Sequence, residues 1–442
     1  MRLILWLSLL MSAALQAQIP TLELNLIQAI ARAKANSERL KSVNADWHAA
    51  KEREATGFTA LLPRLTLDGN YHYVSVVPAL QAFPNTPAIQ LGAHSNYSIG
   101  PTLSYTLWDG GAAHKSYKSS VKASEASRED ERVQTAQLVA SVKLAYLQTQ
   151  LGLEQVQLVA DSLKLAQAQH KDIANRKKAG AASQLEFLTA QKEVLSYELQ
   201  FKQQEIDLSA SVRDLLALLH ETRYQDIQHP APPGFAKASL WLRLDSLEKA
   251  EVSEGRHEPT NLDELPPQLK SQDLMAESLD WLAKSATATL YPQLLFSART
   301  SLDYPNGPIL QQINQNTLSV GLAMPLYEFN RTQHLAAEKD FEAQATRYRR
   351  QQLESDIQRD FAKSKAALVS LRAQQIDAED SVKQSESLAH LNYEAYRFGN
   401  INLTEVQAAN LRALQAKVDL ARIRAGIIRE LILLKTIVAK ED

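Results

Sequence analysis

The chain has 442 residues with 48 basic side chains, 50 acidic ones and no cysteine. Balanced charge removes the electrostatic footprint of a nucleic-acid binder, and the lack of cysteine removes disulfides, thiolate metal sites, thiol nucleophiles and a lipid-attachment cysteine. Glycine and proline number only 14 and 16, and long windows rich in Ala, Leu, Gln, Glu, Lys and Arg predict long helices.

Met1-Arg2 is a charged start, Leu3 to Leu15 an apolar run and Gln16-Ala17 a small-residue end, which together predict a signal peptide over residues 1–17. The run is too short to span a bilayer, and no later stretch reaches the roughly 18 apolar residues that a membrane helix needs. A mature chain that enters a membrane must therefore do so as a closed barrel, the other structure that satisfies its backbone in lipid.

Residues 18–219 read as a first structural repeat. A helix over Leu40–Leu61 is followed by a strand hairpin over about 63–108 and a long helical hairpin with its tip near 180. Within Arg64–Ser75, Leu65, Leu67, Tyr71 and Tyr73 alternate with Arg64, Thr66, Asp68, Asn70 and His72. Within Asn96–Trp108, Tyr97, Ile99, Leu103, Tyr105 and Leu107 alternate with Asn96, Ser98, Gly100, Thr102, Ser104 and Thr106. Pro78, Pro84 and Pro87 mark the loop between these strands. No proline interrupts Gly111–Gly180, a span of roughly 100 Å if helical, and Leu138, Val142, Ala145 and Leu151 give it a coiled-coil-like seam. The return arm runs to about Leu219.

Residues 220–267 hold Pro230, Pro232, Pro233, Pro259, Pro266 and Pro267, and predict a connector packed at mid-height, with a short helix over Lys237–Glu254. Residues 268–442 read as a second repeat: a helix over Leu269–Leu290, a strand hairpin over about 292–327 and a long helical hairpin with its tip near 399. Its strands, expected over Gln293–Tyr304 and Thr317–Tyr327, alternate in the same way.

The two repeats align at constant offsets. Leu107 matches Leu326, Trp108 matches Tyr327, Asp109 matches Glu328, Gly180 matches Gly399 and Glu186 matches Glu405, all 219 apart. Leu40 matches Leu269 and Pro63 matches Pro292 at 229, so the first repeat carries ten extra residues in its strand loop. Segments of about ten residues with alternating polarity and aromatic ends are the pattern of outer-membrane barrel strands. Four strands cannot close a barrel, for which roughly eight is the bacterial minimum, so copies of the chain must complete it.

This layout resembles the TolC-type outer-membrane efflux proteins over nearly the whole mature chain. The carriers are Pro63 and Pro292 opening strands, Leu107-Trp-Asp-Gly-Gly111 at a strand exit, Asn36-Ser-Glu-Arg-Leu40 with Ser37 in place of a proline, and Tyr396-Arg-Phe-Gly399 followed by Leu403-Thr-Glu-Val406. The resemblance implies a mainly α fold with a membrane β-barrel, in which four strands per chain complete a 12-stranded barrel and an α-helical tunnel as a homotrimer. It implies an outer-membrane location with helices in the periplasm, contact with outer-membrane lipid, and docking of the tips at Gly180 and Gly399 onto a periplasmic adaptor and an inner-membrane transporter. It further implies a periplasmic gate built on Glu186, Glu405 and Tyr396. Around the tips three more positions depart from the family's pattern: Lys177 stands where a second tyrosine is expected, Ile401 where a basic residue is common, and Ala408 where some members carry an acid.

Arg64, Asp68, His72, Arg299 and Asp303 are candidates for a mixed-charge barrel lumen. No nucleophile–base arrangement, phosphate loop or metal motif accompanies them, so the expectation is a conduit with no cofactor and no catalytic site. The expected function is passive conduction of drugs or other small solutes. A protein-secretion duct, a metal-efflux duct and a non-conducting coiled-coil scaffold are the alternatives.

Overall fold

Long proline-free stretches become long helices in the computed structural model, which describes residues 22–81, 83, 87–220, 242–244 and 265–438. Strand β1 (Leu22–Leu24) precedes α1 (Leu26–Asn36) and α2 (Glu38–Thr59). The first strand hairpin comprises β2 (Arg64–Tyr73), the short β3 (Ala79–Leu80) and β4 (Ile89–Gln90), and β5 (Ser95–Trp108). Helices α3 (Ala112–Lys178) and α4 (Gln184–Leu218) follow, then β6 (Leu242–Leu244) and α5 (Pro267–Ala288). Strands β7 (Gln293–Tyr304) and β8 (Ile313–Ala323) lead into α6 (Arg331–Arg397) and α7 (Leu403–Val438). The expected signal peptide lies outside the described residues. Of the short helix expected over Lys237–Glu254, only residues 242–244 are described, and they form a strand paired in parallel with β1. Pairing with a distant segment overrides local helical propensity there.

The chain divides into two compact units, one of Met1–Lys41, Val133–Pro266 and Ser355–Asp442, the other of Ser42–Arg132 and Pro267–Glu354. Each unit draws on both halves of the sequence. The second unit holds a four-stranded antiparallel sheet in the order β2-β5-β7-β8, so the two hairpins join through β5 and β7. Its register matches like with like. Thr66 opposes Thr102, which opposes Arg299, which opposes Thr317, while Leu65 opposes Leu103, Ala298 and Leu318 in turn. One face is thus polar across all four strands and the other apolar. On the apolar face Leu65, Leu67, Leu318 and Leu322 are 70–77 % exposed, as expected of a surface meant to meet lipid. β2 and β8 are free edges. β8 begins earlier than the alternation suggests and stops at Ala323, because Pro325 has no N–H to continue a ladder.

The strand exits explain the matched motifs. Asp109 caps α3 by accepting from the backbone N–H of Gly111 at 2.8 Å and of Ala113 at 2.7 Å. Gly110 and Gly111 have φ of +68° and +79°, and their counterparts Phe329 and Asn330 adopt +51° and +61°. A Cβ on Gly110 would stand 2.8 Å from the Ala288 carbonyl oxygen, which is why the first exit uses glycine. In the same unit α3 and α5 are joined by the Ser119–Ser278 hydroxyl pair at 2.9 Å and by Lys270 donating to Glu129 at 2.8 Å.

In the first unit Val142, Tyr146, Leu208, Val212, Leu215 and Ile432 form the main core with Ala29 and Ala33. The Tyr146 phenol, fully buried, donates to the Leu24 carbonyl at 3.0 Å and so ties α3 to β1. Ser37 caps α2 by accepting from the Leu40 N–H at 3.3 Å, a task its side chain performs where the family pattern has proline. The preceding Asn36 donates to the Leu219 carbonyl at 3.2 Å and closes the end of α4.

Candidate functional site

Both helical hairpins turn by the same chemistry. At the end of α3, Gly180 has φ +74°, its N–H donates to the Lys177 carbonyl at 3.0 Å, and the Ala181 N–H donates to the Arg176 carbonyl at 2.8 Å. At the end of α6, Gly399 has φ +79°, with Gly399 donating to Tyr396 at 2.9 Å and Asn400 to Ala395 at 2.9 Å. These are paired Schellman closures, for which glycine is the residue without a steric penalty. No atom lies within 4 Å of a Cβ built on either glycine, so both turns present bare backbone to their surroundings.

The two matched glutamates begin the return helices. Glu186 closes a capping box with Ser183, whose hydroxyl oxygen accepts from the Glu186 N–H at 3.1 Å while Glu186 Oε2 accepts from the Ser183 N–H at 2.7 Å. Glu405 N–H donates to Asn402 Oδ1 at 2.9 Å, and Asn402 Nδ2 donates back to Glu405 Oε1 at 3.0 Å. The sequence match at this position therefore reflects helix capping in both repeats.

Beyond that the two sites diverge. Glu186 Oε1 accepts from the Tyr396 hydroxyl at 2.9 Å, a bond from the second helical hairpin to the first. Tyr396 is buried, and burial followed by this bond to Glu186 pushes its phenol up to about 12. The Ser183 N–H, then the Ser183 and Tyr396 hydroxyls and the Arg176 charge, hold the Glu186 carboxyl below its ordinary range. Glu405 is exposed and makes no such bridge.

Three further residues strengthen the same junction. Arg176 Nη2 donates to the Arg397 carbonyl at 2.6 Å, and its guanidinium stands 5.5 Å from the Tyr396 ring centroid. Tyr393 donates to Asp172 Oδ2 at 3.0 Å. These residues escape a search for matched repeats because the junction is asymmetric: α3 and α4 supply charges, α6 supplies tyrosines. Beneath it Ile173, Ala190, Leu403 and Val406 form a small core, against which Ile401 packs. The isoleucine at the family's basic position therefore serves the tip core. Lys177, where a second tyrosine is expected, lies 4.4 Å from the Phe187 ring centroid.

Further along α4, Glu193 meets the amide of Gln407, and burial pushes its carboxyl up to about 7. A carboxyl raised in the folded state binds protons that the unfolded chain releases, so folding loses stability as pH rises from about 4.5 to about 7. Glu193→Gln is expected to stabilise the helices at pH 7.5 by about 1–2 kcal/mol, allowing for the water that reaches the partly buried carboxyl, and to leave stability at pH 4 unchanged. Thermal melts at both pH values check this; equal gains at both would contradict it.

In the sheet, the register puts Arg64, Asp68, His72, Arg299 and Asp303 on the polar face. Ser98 links two of them, donating to Asp303 Oδ1 at 2.6 Å and accepting from Arg299 Nη2 at 2.8 Å. Among the described residues no three His, Asp or Glu side chains are placed to hold a metal ion, and no helix is long and apolar enough to cross a membrane.

A family model described as outer membrane efflux protein matches residues 29–220 and 261–439. The chain belongs to the outer membrane efflux protein family. It is an outer-membrane channel protein and not an enzyme. Among solved structures, a membrane protein from Pseudomonas aeruginosa superposes with a TM-score of 0.77 at 17 % identity, covering 93 % of each chain. The CmeC outer membrane channel of Campylobacter jejuni gives 0.74 at 14 %, over 94 % of this chain and 85 % of that one. The outer membrane protein VceC of Vibrio cholerae gives 0.74 at 15 %, over 94 % and 96 %. At such identities the likeness is one of fold. A search of curated proteins by sequence finds no significant match.

Proposed function

We propose that this efflux protein is the exit duct of a tripartite pump, a homotrimer that passively conducts small solutes from an inner-membrane transporter and a periplasmic adaptor to the exterior. The observation that carries the reading is the two-faced sheet with free edges at β2 and β8. Three copies joined edge to edge give a 12-stranded barrel whose apolar face meets lipid and whose polar face, with Arg64, Asp68, His72, Arg299 and Asp303, lines water. The helices support the same assembly. On α4, Leu185, Leu188, Leu195, Leu199 and Ile206 are exposed at heptad spacing, and on α6 Val369 and Ile376 are exposed seven apart. Exposed heptad seams call for partner helices.

In this reading Glu186 and Tyr396 form the closed latch of the periplasmic entrance, with Glu405 beside it, and the bare glycine turns at Gly180 and Gly399 are the adaptor-contact tips. Purified full-length protein in planar bilayers is the test. Stepwise conductance from trimers is expected; trimers that insert yet carry no current would leave a scaffold as the better reading.

A further inference from the structure

The loops on the far side of the sheet from the helices carry a surface that the assembly alone leaves unexplained. No Asp, Glu, Lys or Arg occurs between Asp68 and Asp109, or between Asp303 and Glu328. The first stretch contains the loop from β2 to β5, which continues the hairpin upward. The Val74 N–H donates to the His94 carbonyl at 2.7 Å, the Leu91 N–H to the Pro78 carbonyl at 2.8 Å, and Leu80 pairs with Ile89. The second contains the tight turn from β7 to β8, where Asn306 and Ile309 exchange backbone hydrogen bonds at 3.0 Å each around Gly307. Both expose apolar side chains: Val76, Leu80, Ile89, Ile309 and Leu310 are 55–77 % exposed.

Lipid tails do not explain them. The ten residues of β2, tilted at about 45°, already match the hydrocarbon thickness, so residues beyond its end stand past the tails. Topology supplies another occupant. β2 ends where the first loop begins and β8 begins where the second ends, and β2 and β8 are the two free edges of the sheet. When edges of two copies pair antiparallel, the β2–β5 loop of one copy and the β7–β8 turn of the next arrive side by side at the same end of the seam.

We infer that Val76, Leu80 and Ile89 of one copy pack against Ile309 and Leu310 of its neighbour, sealing each subunit seam at the outer mouth of the barrel. This rests on the edge-to-edge assembly proposed above. Uncharged apolar loops can bury one another there at no cost in desolvated charge, and burial of such a patch is favourable.

The absence of native cysteine allows a clean test. The full-length Leu80→Cys, Leu310→Cys double variant is oxidised in outer membranes and run on a non-reducing gel. A bond within one chain leaves a monomer on the gel, so covalent dimers and trimers report bonds that join copies. Covalent dimers and trimers from the double variant, and monomers from either single variant, are expected. Amine cross-linking of the same samples reports assembly independently. Assembled trimers without the disulfide overturn the loop contact and leave the duct reading standing. Single variants that link as well as the double overturn the Leu80–Leu310 pairing. No trimer by either route overturns the assembly itself and the inference with it.

Discussion

Gly100→Ala is expected to abolish the folded sheet and with it outer-membrane insertion, while Gly321→Ala leaves both intact. The two hairpins meet where β5 runs beside β7, and the pairing passes from Ile99–Leu302 to Thr102–Arg299 across Gly100 and Pro101. Pro101 has no N–H to offer a ladder, and the strands close tightly beside it. A Cβ on Gly100 would fall 2.0 Å from the Thr300 carbonyl oxygen and 2.6 Å from the Ser301 Cα. Both are backbone atoms of a strand held on its other side by β8, so neither can step aside. Ordinary overpacking by a methylene costs about 1–3 kcal/mol, and a clash with backbone exceeds that. Gly321, on the edge strand β8, has no atom within 4 Å of its Cβ position. Outer-membrane levels and thermal unfolding of the two variants check the contrast. Wild-type levels and melting for Gly100→Ala would refute the close approach of β5 and β7.

Most of the architecture is legible in the sequence because it rests on short-range rules. Alternation with period two marked β2, β5, β7 and β8, and glycine after a long helical run marked both tips. Where the sequence misleads, a long-range contact has overruled a local one: residues 242–244 pair with β1, and β8 stops before Pro325. The site was less legible for a different reason. Glu186 and Glu405 look equivalent at a common offset, and both do cap helices. Only Glu186 faces Tyr396, and that follows from how the first turn of α4 meets the last turn of α6, which no spacing within either helix encodes. Arg176 and Tyr393 have no counterparts in the other repeat, so duplication could not point to them.

That asymmetry makes the second large effect specific. In planar bilayers Glu186→Gln is expected to raise channel conductance or open probability, and Glu405→Gln to change neither. Glutamine still serves at the third position of a capping box, so Glu186→Gln keeps the start of α4 while removing the ionised acceptor that faces Tyr396 and Arg176. A hydrogen bond to a charged group contributes about 1.5 kcal/mol at the low end, which shifts a closed–open balance roughly tenfold. Tyr396→Phe tests the same bond from the donor side, keeping the ring beside Arg176, and is expected to move the channel in the same direction by less. The pH profile separates the latch from a general loosening of the tip. Glu186 has its carboxyl lowered in the folded state, so its contribution is complete above the ordinary value of about 4.5 and is lost as pH falls through the lowered one. Wild-type conductance is therefore expected to stay flat from neutral to mildly acidic pH and to rise only in stronger acid, and Glu186→Gln to lack that acid rise. Equal conductance of wild type, Glu186→Gln and Tyr396→Phe at pH 7 would assign the Glu186–Tyr396 bond to tip folding alone.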